Sequence, residues 1–321
     1  VTAVPPKQSD GKVLAGVDIG TLTCRLLIAR VSNAGRLSEL RSDRRILRLG
    51  EGVDQARTLR PDAMDRVIST LLEWRKVIET YPVEGQIAVA TSAVRDAKNR
   101  DEFLGRVKRE VGFEVELISG EEEARRTMLG IRSGLPESVS SILGLDIGGG
   151  STEFILDRPG APPFVRSIDI GVVRLTERIL LHDPPTEQEL RAVREAIKKE
   201  TEQVQRLLGD LSGITFVGTA GTITTLAAMA QQLPQYEPAR IHNYGLKLAT
   251  VQKLEQELLS RTKAQRRDMP GLEVGREDVI VAGVLILRTV METLGYADCL
   301  VSDLGLREGV LIDLARRAMK R

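Results

Sequence analysis

The chain has 321 residues, 42% of them hydrophobic and 28% charged, with a formal net charge of +1. These are the proportions of a soluble globular protein with room for two domains of ordinary size. So even a balance excludes strong global attraction to nucleic acid or an anionic membrane, and no apolar run approaches the roughly 18 residues that span a bilayer. Two cysteines, Cys24 and Cys299, give no disulfide framework and fit a reducing cytoplasm. Two histidines with unlike flanks, His182 and His242, read as structural.

In chain order, residues 1–12 lack an apolar secretion core and read as a disordered leader. Val13 to Val31 predicts two strands joined by a turn at Asp18-Ile-Gly20-Thr21, and Asn33-Ala-Gly35 turns into a third. Arg41, Arg44, Arg45 and Arg48 stand close enough to form a cationic surface, a solvated strand edge being the plainer reading. Pro61 opens an amphipathic helix with Met64, Val67, Ile68 and Leu71 at helical spacing. Gln86 to Asn99 is a buried strand running into hydroxyl residues and Arg95. An arginine at the carboxyl end of a parallel strand suits bidentate phosphate binding, with an interdomain salt bridge as the alternative. Asp101 is expected to cap the next helix and Gly112 to end it. A strand over 114–118 then delivers Ser119-Gly-Glu-Glu-Glu-Ala124 to a helix start, where glutamates ordinarily complement the dipole.

The stretch Leu143-Gly-Leu-Asp-Ile-Gly-Gly-Gly-Ser-Thr-Glu153 organises the rest. A buried strand delivers Asp146 to Gly148, Gly149 and Gly150, where the backbone can approach phosphate oxygens closely, and the chain leaves through Ser151 to Glu153. Asp146 and Glu153 together suit a divalent cation such as Mg²⁺, which takes a few carboxylate oxygens and leaves the rest to water and phosphate. Gly16 to Ile28 aligns with Gly144 to Leu156 without a gap, so that Asp18 matches Asp146. Two related halves with opposed glycine turns are therefore expected.

Beyond it, Ser167 to Leu175 reads as another strand and turn, and Thr186-Glu-Gln-Glu189 as a capping box opening a helix to about Leu208. Ile214 to Leu226 repeats strand, glycine turn and helix, and a helix start at Gly221 and Thr222 is a ready anion site. Helices are predicted over 250–261 and 277–294, then a strand over 299–301, a turn and a last helix.

Asp18, Asp146, Glu153, one of Glu121 to Glu123, Arg95 and the glycine turns form a set without a histidine base, a reactive-cysteine context or a Walker sequence. Such a set can bind a phosphate chain, coordinate Mg²⁺ and activate a nucleophile with a glutamate. Its carboxylates repel one another, and a bound cation makes their approach tolerable.

Seven strings in order resemble the exopolyphosphatase and guanosine pentaphosphate phosphohydrolase family: Val17-Asp-Ile-Gly20, Ala90-Thr-Ser-Ala-Val-Arg95, Ile118-Ser-Gly-Glu-Glu-Glu-Ala124, Leu145-Asp-Ile-Gly-Gly-Gly-Ser-Thr-Glu153, Gly171-Val-Val-Arg-Leu175, Gly218-Thr-Ala-Gly-Thr222 and Leu306-Arg-Glu-Gly309. The resemblance runs from about residue 13 to the end, as in a short, two-domain member. It implies an α/β fold of two ribonuclease-H-like, actin-like ATPase domains around an interdomain cleft, as in sugar kinases and heat-shock chaperones. Residues 13–128 with 305–321 would form the first domain and 129–304 the second, the last helix returning to the first.

The resemblance also implies Glu123 as the water-activating base, with Glu121 and Glu122 leaving a one-residue ambiguity, and Glu153 beside it. Asp146, Glu153 and Asp18 would surround the Mg²⁺. Thr21, Arg95, Gly148, Gly149, Gly150, Ser151, Gly221 and Thr222 are the phosphate-binding candidates. Arg41, Arg44, Arg45, Arg48, Arg166 and Arg174 are further candidates to track a polyanion.

The expected activity is Mg²⁺-dependent release of terminal orthophosphate from inorganic polyphosphate. Guanosine pentaphosphate is the alternative substrate, disfavoured by a scarcity of aromatic residues for stacking a base. A non-catalytic sensor of phosphate compounds and a phosphotransferase are remoter readings. A monovalent cation and a homodimer are left open, and neither nucleic acid nor membrane is expected as a partner.

Overall fold

Eleven strands in two sheets organise residues 11–319, the part of the chain that the computed structural model describes. The first sheet contains β1 (Lys12–Ile19), β2 (Thr23–Val31), β3 (Leu37–Ile46), β4 (Gly85–Ala90) and β5 (Val115–Leu117), in the order β3-β2-β1-β4-β5. The second contains β6 (Ile142–Ile147), β7 (Thr152–Asp157), β8 (Phe164–Ile168), β9 (Thr215–Thr219), β10 (Gly245–Lys247) and β11 (Asp298–Val301), in the order β10-β11-β9-β6-β7-β8. In each, an antiparallel meander is followed by parallel strands on its inner side: β1 pairs with β4, and β6 with β9. The duplication seen in the two hairpins thus extends through both sheets.

Burial explains the patterns. β1 and β6 are apolar on both faces because helices cover both, as expected of strands with parallel neighbours. The Pro61–Glu79 helix seats Met64, Val67, Leu71 and Trp74 against the first sheet, each such side chain contributing about 1.5–3 kcal/mol. The Ile280–Leu294 helix is apolar over most of its circumference and buries that surface in the second core, leaving Arg288 and Glu292 on its outer side. No helix among the described residues is long and apolar enough to cross a membrane.

Two helices lie back to back between the sheets. Ala124, Met128 and Ile131 of the Gly120–Gly134 helix pack on Ile142, Ile155 and Val217 of the second sheet. Leu306, Val310, Leu311 and Ala315 of the Leu306–Met319 helix pack on Leu14, Leu27 and Val89 of the first. They cross at Gly130 and Gly309, where any side chain would run into the backbone of Gly305 and Arg126. Arg125 and Arg126 tie the pair together through Asp313, at 2.8 and 3.5 Å.

Several expectations need correction. Lys12 belongs to β1, so the disorder expected over residues 1–12 does not reach it; residues 1–10 of that expectation lie outside the described residues. Val172–Arg178 is a helix rather than an extension of a strand. Its first NH groups donate to the carbonyls of Gly148 and Gly149, at 3.1 and 2.8 Å, and these tertiary bonds override the β preference of Val-Val. Asn99, not Asp101, stands at the N-cap of Arg100–Arg106, its side chain bonded to the Leu59 backbone instead. The helices predicted over 250–261 and 277–294 are Leu248–Leu259 and Ile280–Leu294.

Candidate functional site

The two hairpins build the site. In the β1–β2 turn the Gly20 NH donates to the Thr23 carbonyl at 3.1 Å, and Asp18 stands directly across from Arg25. In the β6–β7 turn the Gly148 NH donates to the Ser151 carbonyl at 3.0 Å, and Asp146 stands across from Glu153. The turns meet face to face. A Cβ on Gly149 would lie 2.8 Å from the Thr21 Cβ, and one on Gly150 would lie 2.7 Å from the Ser92 Oγ, so only glycine allows this approach. The Thr21 and Ser92 hydroxyls are bonded to each other at 2.8 Å.

Between the turns and the two back-to-back helices lies a narrow cleft of about 70 Å³. Asp18, Thr21, Glu123, Asp146, Gly148, Gly149, Ser151, Gly221 and Thr222 line it. The other candidates stand nearby. Gly150 borders the adjoining gap with Thr21 and Ser92. Glu153 lies behind the lining, 1% exposed, and accepts a hydrogen bond from the Ser167 hydroxyl at 2.7 Å. Arg95 lies behind Glu123, donating to the Ile118 carbonyl at 2.8 Å and approaching the Glu123 carboxylate at 3.5 Å.

Of the three adjacent glutamates, Glu123 alone lines the cleft. Glu121 is exposed, and Glu122 is held by Arg125 and Arg126 at 2.8 and 2.7 Å. The helix rotation of about 100° per residue separates them, and the Ser119 hydroxyl fixes the start by accepting from the Glu122 NH.

Electrostatics mark this place. Burial pushes the Asp18 carboxyl up to about 6, with Arg25 opposing and Asp146 adding to the shift. Burial also raises Asp146 and Glu153, and for Glu153 the charge of Asp146 adds to it. Glu123 is raised well above the usual carboxylate range by burial and by the charges of Glu153 and Asp146. Four carboxylates so placed cannot all ionise without a counterion.

No group of three or more His, Cys, Asp or Glu side chains among the described residues is arranged to hold a metal ion. Mg²⁺, however, is commonly bound through one or two carboxylates together with substrate phosphates. Asp18 and Asp146 fit that pattern: they line the cleft from opposite hairpins, and the Asp18 Oδ1 is buried without a hydrogen-bond partner.

The arginine-rich segment behaves otherwise than as a polyanion track. Arg44 pairs with Glu273 at 2.9 Å, Arg45 with Glu73 at 2.7 Å and Arg48 with Asp278 at 2.8 Å. Arg174 is buried, bonded to the Gly150 carbonyl at 2.8 Å and paired with Asp96 at 2.7 Å and with Asp54. Arg44, Arg48 and Arg174 join the halves of the molecule. Only Arg41 and Arg166 of that group are exposed.

Arg25, Thr23, Ser92 and Arg276 also line the cleft and were missed. Arg25 was within reach, because it occupies the step of the first hairpin that Glu153 occupies in the second. Arg276 had no local signal. It packs over Gly221, pairs with Glu273 at 2.5 Å and adds a cation beside the helix N-terminus.

Known proteins share this arrangement. The model of the Ppx/GppA phosphatase family matches residues 27–318. Exopolyphosphatase 2 of Mycobacterium tuberculosis is 35% identical over 316 residues, covering 94% of this chain and 98% of that protein. The crystal structure of the Aquifex aeolicus member of the Ppx/GppA family matches with a TM-score of 0.81 at 37% identity, covering 96% of this chain and 98% of that one. An exopolyphosphatase structure from Cytophaga hutchinsonii matches with a TM-score of 0.86 at 28% identity, covering 95% and 98%. The paired sheets are the two-domain, actin-like ATPase architecture of these enzymes, and the chain belongs to the Ppx/GppA phosphatase family as a phosphoric anhydride hydrolase.

Proposed function

We propose that the protein is an exopolyphosphatase that releases terminal orthophosphate from inorganic polyphosphate, using Mg²⁺ and a water activated by Glu123. The observation that carries this reading is Glu123 itself: in the cleft wall, 8% exposed, and with a proton affinity raised well above the ordinary carboxylate range by burial and by Glu153 and Asp146, as suits a general base. The exopolyphosphatase relatives support it.

In this mechanism the terminal phosphate sits between the opposed turns, against the backbone of Gly148 and Gly149 and the hydroxyls of Thr21 and Ser151. Gly221 and Thr222 offer a helix N-terminus on the far wall, and Arg25 and Arg276 offset the charge of the bridging oxygens. Mg²⁺ held by Asp18 and Asp146 would neutralise phosphoryl oxygens. Glu123 takes a proton from water as the water oxygen attacks the terminal phosphorus in line. The bond to the shortened chain breaks, and orthophosphate departs. Arg95 orients Glu123, and Glu153, steadied by Ser167 behind the cleft wall, raises the proton affinity of Glu123. The domain division over 13–128 with 305–321 and 129–304, and a cytoplasmic location, belong to the same proposal.

Glu123→Ala is expected to abolish phosphate release while leaving polyphosphate binding within a few-fold. Retained turnover would defeat the assignment. One observation favours guanosine pentaphosphate as a second substrate: Tyr236, with the Arg44 guanidinium 4.6 Å from its ring centre, borders the compartment next to the cleft and supplies a stacking surface that composition did not reveal. Turnover of the two substrates side by side decides between them.

A further inference from the structure

The cleft is blind on the side of the two turns, where Gly149 and Gly150 press against Thr21 and Ser92. Through Arg25, Asp146, Ala220 and Leu306 it continues into a larger compartment. If the polyphosphate reading above holds, the chain beyond its terminal units lies in that compartment.

The charge there is wrong for a polyanion. Besides Asp146, its wall carries Glu39, Asp43, Glu273, Asp303 and Glu308. Two of the three guanidiniums in the same wall are already engaged, Arg44 with Glu273 at 2.9 Å and Arg307 with Glu308 at 2.6 Å, and Arg25, 3.9 Å from Asp18, stands where the compartment opens from the catalytic cleft. Asp43 is held by Arg45 and by the Trp74 indole NH. Two carboxylates are only loosely compensated. Asp303 accepts from the Tyr236 hydroxyl and has no ion-pair partner among the described residues, and Glu39, at the rim, comes no nearer than 4.0 Å to Arg307. Surfaces that hold phosphate chains keep guanidiniums free to meet them, because affinity comes from cations that neutralise phosphates.

We propose that this compartment is a charge screen that restricts the enzyme to short phosphate chains, with Asp303 and Glu39 as the residues that set the limit. Each phosphate that emerges from the catalytic cleft adds negative charge opposite these carboxylates. The partly enclosed setting of Asp303 weakens screening by salt, whereas Glu39, at the open rim, is screened more fully. A tripolyphosphate keeps most of its charge within reach of Arg25, Arg276 and the helix N-terminus, and a long chain cannot.

The test compares kcat/KM for tripolyphosphate with that for chains of about a hundred units in the wild type, in Asp303→Asn, in Glu39→Gln and in the double variant. The wild type should favour the short substrate by about tenfold or more, and the double variant should narrow the ratio severalfold by speeding the long chain alone. Asp303→Asn keeps the shape that meets Tyr236, and Glu39→Gln lies at the surface, so the second variant still decides if the first folds poorly. Preference for the long chain, or variants that move both substrates equally, overturns the proposal. Absence of turnover at every chain length would instead be a failure of the polyphosphate reading. In that event calorimetric affinities of the same two polymers still decide the screen, tighter binding of the long chain counting against it.

Discussion

The two hairpins at the centre of this molecule share a plan and differ in one charge. Each delivers an aspartate to the same step of its first strand, and each closes its turn with the same NH-to-carbonyl bond. Across from Asp18 stands a cation, Arg25, and across from Asp146 stands a second anion, Glu153. The first hairpin therefore partly offsets its buried carboxylate within itself, and the second adds a like charge to its own. Under the proposed mechanism, a repeated scaffold becomes a holding half and a reactive half through the residue opposite the aspartate.

The contrast can be broken most severely at Glu153. Under the proposed mechanism Glu153→Gln should lower kcat by about 10²-fold, since it removes a neighbour that raises the proton affinity of the base Glu123. The same change should raise the melting temperature at pH 8 without Mg²⁺, because one fewer buried carboxylate ionises next to Asp146. A variant with wild-type kcat would show that the difference between the hairpins is not functional.

The turns can be exchanged as well. Gly149→Thr gives the second turn the residue found at the matching step of the first, and its Cβ would meet Thr21 at 2.8 Å and the Leu22 nitrogen at 3.2 Å. The two turns must then part, and KM for phosphate release should rise about tenfold, because catalytic groups misplaced by an ångström lose that much or more. Unchanged kinetics would mean that the close approach has no bearing on catalysis.

The smallest effect is a matter of pH. Asp18 in the fold titrates near 6, above its ordinary 3.8, and Glu153 and Glu123 are raised as well. The folded state therefore binds protons that the unfolded chain has released. The stabilisation is complete below pH ~4 and is lost as pH rises through these folded values. The melting temperature of the metal-free protein should fall by a few degrees from pH 5 to pH 8, and Mg²⁺ should restore it mainly at the higher pH. Scanning calorimetry in both conditions checks this, and a flat profile would remove the claim of mutual repulsion.

Much of the fold was legible because it follows from short-range pattern. The gapless match of Gly16–Ile28 to Gly144–Leu156 anticipated two hairpins of one design, and Pro61 and the Thr186 capping box marked helix starts that the structure keeps. Val172–Arg178 was misread because its backbone is recruited by the glycine turn, a bond partner that the local sequence does not contain. The arginines at 44, 48 and 174 looked like free cations for the same reason: Glu273, Asp278, Asp54 and Asp96 lie far away in the chain.

By itself, then, the sequence determined the two matching hairpins, which residues carry the carboxylates and where the backbone has room to meet a ligand, since these depend on residue type and spacing within a dozen positions. Only the tertiary structure decided that Glu123 alone of its run faces the cleft, that Arg276 covers Gly221 and that four acids share one poorly solvated space. Those facts arise from distances between remote parts of the chain, and a shifted proton affinity exists only once such parts are brought together.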